Sequence, residues 1–323
     1  MSIKVAVIGE CMIELSENKA NIVRHFGGDT LNTAVYLTRA NPDISVHYVS
    51  ALGTDPMSSA MLAQWQQEGI DIELVQRLSH KLPGLYLIET DERGERTFHY
   101  WRSDAAARYW LQTPQAKRIG ERLHEFDYLY LSGISLAILS QADRLTLLHL
   151  LADCRAGGAR IAFDNNYRPR LWESQEAARQ TYAAMLALTD LAFLTLDDEV
   201  ALWGDSDESQ CLTRTRALGV NEIVIKRGAA PCLIVQPEYR CEVQAIPLTS
   251  EQVIDTTAAG DSFSAGYLAT RLAGHSMADS ARYAHRLAST VIQHRGAIIP
   301  LTAMPHPITP DHPSHEASHV PIA

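Results

Sequence analysis

Six short runs of apolar residues, at 5–8, 46–51, 128–131, 161–164, 191–194 and 223–226, recur along the chain with helix-length segments between them. Val5-Ala6-Val7-Ile8 shows the kind: every position is apolar, not every second one. Successive side chains of a strand point to opposite faces, so such a strand is at home only where both faces are covered. Helix-period patterns lie around 30–39, 58–68, 142–155, 175–188 and 208–218, and two more around 262–272 and 277–294 complete the set. Strands that alternate with helices wind into a mostly parallel sheet with helices on both sides, an α/β class with three layers. A chain of 323 residues is long enough to bury a large core as one such domain, or as a domain with an insertion.

Two stretches depart from the alternation. Residues 12–25 and 82–101 lack helical periodicity and contain strand-like pairs around turns, with Asp91-Glu92-Arg93-Gly94 between 85–89 and 97–101 reading as a hairpin. These strands form either a small lid over the carboxyl ends of the main sheet, where open α/β folds bind ligands, or an ordinary surface hairpin. A single domain is expected over 1–303. Beyond it, 304–323 mixes five prolines with four histidines at irregular spacing. That composition builds no core and offers no zinc geometry, so disorder and no catalytic role are expected there.

Composition removes several classes of function. Charged residues make up 20% of the chain, the net charge is −10, and no basic run or aromatic–basic interleaving occurs. Nucleic acid and anionic membrane surfaces are therefore poor partners. No apolar run is long enough to span a bilayer, and the N-terminus reads as a buried strand instead of a signal peptide. Five scattered cysteines, Cys11, Cys154, Cys211, Cys232 and Cys241, show no metal or redox spacing. Free packing thiols in a reducing cytoplasm are expected.

The chemistry concentrates in 254–268, where a turn of small residues runs into an apolar helix with Asp261 at the junction. The first N–H groups of a helix lack internal partners and sit at the positive end of its dipole. Ala258, Ala259 and Gly260 carry little bulk to keep an anion from them, so the turn can cradle a phosphoryl oxygen. Asp261 beside that anion is placed to accept a proton from an attacking hydroxyl, although an Asp there also commonly caps a helix. Neither a P-loop nor a Gly-x-Gly-x-x-Gly turn is present, so any nucleotide phosphates must use this late turn.

Four other clusters could serve a ligand. Gly27-Gly28-Asp29-Thr30-Leu31-Asn32 opens a helix and offers Asp29 and Asn32 to hydroxyls, or is a turn with an Asp cap. Asp164-Asn165-Asn166-Tyr167-Arg168 follows a strand; Arg168 can meet a phosphoryl group or a carboxylate, or simply pair with Asp164. Tyr100 and Arg102 share a strand face, where a ring and a guanidinium suit an acid sugar, with Tyr86 on the opposing strand as a pocket wall. By default, an exposed strand Arg is only solvated. Finally, Lys226-Arg227-Gly228-Ala229 follows a strand and brings a cation and backbone towards phosphates or ribose.

Taken in order, these strings resemble the PfkB-type, ribokinase-like carbohydrate kinases over about residues 3–300. Asp255-Thr256-Thr257-Ala258-Ala259-Gly260-Asp261 is similar to the family's Asp-Thr-x-x-Ala-Gly-Asp signature, with Ala258 where many members carry Gly. Gly27–Asn32 resembles the Gly-Gly-x-x-x-Asn signature, and Asp164-x-Asn166-x-Arg168 a pattern of the branch that acts on 2-keto-3-deoxy sugar acids.

The resemblance implies ATP-dependent phosphorylation of 2-keto-3-deoxygluconate at its C6 hydroxyl, with Mg²⁺ and, as a further candidate, a monovalent cation. It implies Asp261, Gly260, Ala259 and Arg168 as catalytic residues. Substrate contacts are implied at Gly28, Asp29, Thr30, Leu31, Asn32, Tyr86, Tyr100, Arg102, Arg168 and Asp261. Nucleotide contacts are implied at Asn166, Thr195, Lys226, Arg227, Gly228, Ala229, Ala258, Ala259 and Gly260. Glu199 is implied to reach the metal through water, although Leu196 stands where the family's Asn-x-x-Glu motif has Asn and the second glycine of its Lys-x-Gly-x-x-Gly loop is displaced. Pairing of lid strands between subunits would make a homo-oligomer. Rival readings are a neutral-sugar kinase of the same fold, for ribose or fructose, and a sugar-acid sensor without catalysis.

Overall fold

The computed structural model describes residues 2–18, 21–90, 96–306 and 318–319. In chain order the strands and helices begin with β1 (Ile3–Ile8), β2 (Met12–Asn18), β3 (Asn21–Gly27), α1 (Asp29–Ala40), β4 (Ile44–Leu52), α2 (Pro56–Gln67), β5 (Val75–Arg77), β6 (Gly84–Thr90) and β7 (Arg96–Trp101). The middle of the chain supplies α3 (Ala116–Leu123), β8 (Tyr128–Ser132), α4 (Gly133–Ala137), α5 (Gln141–Ala156), β9 (Arg160–Asp164), α6 (Gln175–Leu186), β10 (Leu191–Thr195), α7 (Leu196–Trp203) and α8 (Glu208–Ala217). It closes with β11 (Glu222–Lys226), β12 (Cys232–Gln236), β13 (Tyr239–Val243), α9 (Ala259–Leu272), α10 (Met277–Val291) and β14 (Ser318–His319).

The main sheet runs β14-β13-β12-β11-β10-β9-β8-β1-β4-β5. From β5 to β11 every neighbouring pair is parallel, and β12, β13 and β14 are added antiparallel at one edge. The reason for the unbroken apolar runs is visible in the core. Val5 and Val7 of β1 pack with α1, α9 and α10 on one face, while Ala6 and Ile8 pack with α5 and α6 on the other. β10 repeats this with Leu191 and Phe193 on the first face and Ala192 and Leu194 on the second. Both faces are dry, so alternation gives no polar positions.

All six expected core strands are present, and the expected helices are found to within a few residues. The β12–β13 pair is a structural addition that the sequence pattern did not suggest: Cys232–Gln236 and Tyr239–Val243 form an antiparallel hairpin at the end of an otherwise parallel sheet. α3, α4, α7 and the short β5 are likewise additions.

The lid exists as a separate sheet in the order β3-β2-β6-β7. β2 pairs antiparallel with β3 and parallel with β6, and β6 pairs antiparallel with β7, with Tyr86 opposite Tyr100. The expected turn at 91–94 lies outside the described residues, as do 307–317 and 320–323 of the Pro/His-rich tail. Ser318–His319 pairs with β13. All five cysteines are free and buried, as expected of packing residues. Among the described residues no helix is long and apolar enough to cross a membrane.

Candidate active site

The carboxyl ends of β1, β9, β10 and β11 and the N-termini of α1 and α9 supply the clustered polar groups. Most longer helices are closed by a side chain: Asp55 caps α2, Ser140 α5, Ser174 α6, Asp207 α8 and Ser276 α10. α1 and α9 are not, since Gly28 and Ala258 occupy their N-cap positions without a side-chain cap bond. Thr30 N–H is taken by Asp29 Oδ1 at 2.8 Å and Ala259 N–H by the Thr256 carbonyl at 3.2 Å, so a ligand would meet the next N–H groups, Leu31 in α1 and Gly260 and Asp261 in the 14-residue α9. Gly28 is required sterically: a Cβ there would stand 2.3 Å from the Glu10 carbonyl oxygen.

Asp261 sits in the first turn of α9, with Asn32 Nδ2 donating to its Oδ2 at 2.8 Å across from α1. Burial first, then the neighbouring charges of Asp29 and Asp164, push the Asp261 carboxyl up to about 7, against the Asn32 bond and Lys226, which pull it down. A carboxyl tuned to that range is a competent general base near neutrality. Asn32 Oδ1 is buried without a partner, an acceptor ready for a hydroxyl.

Around this pair the polar groups hold one another. Lys226 Nζ donates to Asp164 Oδ2 at 2.7 Å, and Ser264 Oγ from α9 donates to the same oxygen at 2.7 Å. A Cβ built on Gly260 would lie 3.4 Å from Lys226 Nζ, so the ammonium flanks the small-residue turn. Asn166 Nδ2 donates to Asp29 Oδ2 at 2.6 Å and fixes the start of α1 to the end of β9. Asn165 gives both ends of its amide to the β10–α7 junction, accepting from Thr195 N–H at 3.0 Å and donating to the Thr195 carbonyl at 3.1 Å. Ala258 (φ 60°) and Asn166 (φ 27°) are non-glycine residues in the left-handed region, both at this site.

Several expectations change. Thr30 is fully buried with its hydroxyl on Tyr48 at 2.8 Å and its N–H on Asp29 Oδ1 at 2.8 Å, and Leu31 is 2% exposed in the core, so neither side chain reaches a ligand. Asp164 pairs with Lys226, while Arg168, half exposed, donates to the Tyr167 carbonyl at 2.9 Å and lies 3.5 Å from Asp198. Asn166, expected beside the nucleotide, gives its amide to Asp29 instead. Arg227 turns its guanidinium away to Glu208 and Glu242, leaving Gly228 (φ 61°) and exposed Ala229 as the loop's open portion.

Glu199 is fully buried, donated to by Asn165 Nδ2 at 2.9 Å and paired with Arg214. Glu199, Asp205 and Cys211 lie close enough together to hold a metal, yet Arg214 already bridges the two carboxylates, so the group is an ion-pair cluster. Asp198, 19% exposed, lies between exposed Asp197 and buried Glu199 in the first turn of α7 and faces Arg168; burial raises its pKa, against Arg168.

Under the lid, Tyr86 is buried with its hydroxyl donating to Glu14, and its ring lies 5.7 Å from that of Tyr100. Arg102, just beyond β7, pairs with Glu10 and lies 5.9 Å from the Tyr100 ring centroid. Glu10, Glu14 and Asp164 were not singled out from the sequence as site residues. Their signal was a carboxylate at or just past the end of an otherwise apolar run, where polar groups face the crevice.

Comparison with known proteins agrees with this geometry. The description of the pfkB family carbohydrate kinases matches residues 2–304. The chain is 63% identical over 304 residues to a 2-dehydro-3-deoxygluconokinase of Dickeya dadantii, covering 93% of this chain and 98% of that one. It is 59% identical over 308 residues to the 2-dehydro-3-deoxygluconokinase of Escherichia coli K12, covering 94% of this chain and all of the relative. Among solved structures, the fructokinase of Xylella fastidiosa with bound ATP superposes with a TM-score of 0.81 at 21% identity, over 95% of this chain and 96% of that one.

Proposed function

This chain belongs to the pfkB family of carbohydrate kinases, and on that premise we propose that it transfers the γ-phosphoryl group of ATP to the C6 hydroxyl of 2-keto-3-deoxygluconate (2-dehydro-3-deoxygluconate), giving the 6-phosphate. The observation that carries this reading is Asp261: a carboxyl raised to about 7, held by Asn32, at a helix N-terminus that no side chain caps. Asp261 removes the hydroxyl proton as the oxygen attacks phosphorus. The backbone N–H groups of Gly260 and Asp261 and the ammonium of Lys226 face the charge that develops on the transferred group. Asn32 keeps the base oriented and offers its free Oδ1 to the sugar. Arg168, half exposed on the loop after β9, adds a mobile cation.

The uncapped α9 N-terminus and the open Gly228 turn fit a triphosphate. Mg²⁺ supplies charge neutralisation when bound to it, and usually keeps several waters. Asp198, partly exposed beside Arg168 and the Tyr167 N–H, is the residue of α7 placed to meet such waters, and Glu199 supports the site through Asn165. For the sugar acid, Arg102 faces the carboxylate while Tyr86 and Tyr100 cover the apolar carbons. The lid also leaves Phe98, Tyr100 and Trp101 of its edge strand β7 exposed, at 38, 52 and 58%. These fit a second copy of the chain, making the working enzyme a homo-oligomer.

A coupled ADP-release assay with ATP, Mg²⁺ and 2-keto-3-deoxygluconate, beside gluconate, ribose and fructose, tests the reading. Selective turnover of the keto-deoxy acid is expected. Turnover of a neutral sugar alone would keep the role of Asp261 and overturn the substrate.

A further inference from the structure

We propose that Glu10 is a positioning residue that orients Arg102 for the carboxylate of the substrate; this rests on the sugar-acid reading above. Glu10 follows β1 at the carboxyl end of the sheet and is 2% exposed. It is held from across the lid: Arg102 Nη2 donates to Glu10 Oε2, although the two residues are 92 positions apart. The contact is end-on. Glu10 Oε1 and Arg102 Nε are both buried without a hydrogen-bond partner, whereas a bidentate pair would have used the fork fully.

A buried carboxylate in a half-satisfied pair is a poor device for stability, because burial costs are only partly offset. Desolvation pushes the Glu10 carboxyl up in spite of Arg102 and Arg108, and Asp29 of α1 adds to the push. The arrangement is sensible as a clamp. Glu10 fixes one end of the guanidinium from below, and the Tyr100 ring stands beside it at 5.9 Å. One donor of five is thereby committed and the planar fork is held in register for a second anion. The backbone makes room for this: a Cβ on Gly84 of β6 would come within 3.0 Å of Glu10 Oε1 and 3.2 Å of Arg102 Cβ. An Arg held this way meets a carboxylate with less ordering left to do, so the benefit falls on binding.

The test is a double-mutant cycle of E10A and R102L, read as separate KM and kcat for 2-keto-3-deoxygluconate. E10A is expected to raise KM on the order of tenfold with kcat changed by less than about threefold, and to add little in the R102L background. E10Q keeps an oxygen for the guanidinium and is expected to restore most of the affinity. An E10A effect of the same size with and without Arg102, or an unchanged KM in E10A, would overturn the proposal. If E10A fails to fold, E10Q carries the cycle: a small KM rise that vanishes in R102L supports the clamp, and one that persists overturns it. The wild type and R102L alone test the sugar-acid reading. Preference of the wild type for a neutral sugar would overturn that reading and the clamp together, whereas a sugar-acid enzyme with an additive cycle would overturn the clamp only.

Discussion

In the proposed reaction Asp261 concentrates the chemistry at the scale of single residues. Its carboxyl is raised to about 7 by burial and by Asp29 and Asp164, so the ionised base gains population as pH rises through neutrality. kcat/KM should climb through about pH 7 to an alkaline plateau, and a flat profile between pH 6 and 9 would count against Asp261 as the base. Asp261→Asn should lower kcat on the order of a hundredfold to ten-thousandfold. The same substitution should stabilise the fold. The folded-state pKa lies above the unfolded value, so the stability available to the protonated carboxyl at low pH is lost as pH rises towards 7. D261N should therefore melt higher than wild type at pH 8, with the gap shrinking towards pH 4. Equal melting temperatures at both pH values would show that the carboxyl is not strained by its site. Position in the sequence brought Asp261, Asn32 and Lys226 to one place because a motif fixes their backbone. It did not show the partners of Arg227 and Asn166, whose side chains meet Glu208, Glu242 and Asp29, residues remote in sequence.

At the scale of elements, α9 and the lid are the parts that act. α9 starts from Ala258 at φ 60°, a conformation that costs an L-residue roughly 1–2 kcal/mol. Glycine relieves that strain but loses more freedom on folding, about 0.5–1 kcal/mol against Ala. Ala258→Gly should then be neutral to stabilising by up to about 1 kcal/mol in denaturant titration; a loss of stability would mean that the Ala258 methyl packs usefully. In the lid, Arg102→Leu should raise KM for the sugar acid far more than it lowers kcat, and an unchanged KM would move the carboxylate elsewhere. The lid strands were legible in the sequence as a break in helical periodicity, yet whether they cover the site or lie idle was not. That depended on β2 pairing with β6 across about seventy residues of chain, in the register that sets Met12 beside Gly84 and Glu14 beside Tyr86. The β12–β13 hairpin was missed because its strands are short and follow a buried run without a helix between.

For the whole molecule, the exposed Phe98, Tyr100 and Trp101 give association a physical motive. Light scattering should report more than one copy per particle, and Trp101→Asp should shift it towards the monomer; a wild-type monomer at working concentration would remove the oligomer from the account. The sequence by itself determined the α/β class, the parallel order of strand and helix, the carboxylate at the mouth of α9 and the family. Each of these is local: a run of apolar residues or a turn of small ones has the same meaning wherever it lies in the chain. Only the tertiary structure decided which charges meet. Lys226 finds Asp164, Arg102 finds Glu10 and Glu199 is sealed by Arg214, because a charge leaving water must take whatever partner the packed chain brings within reach.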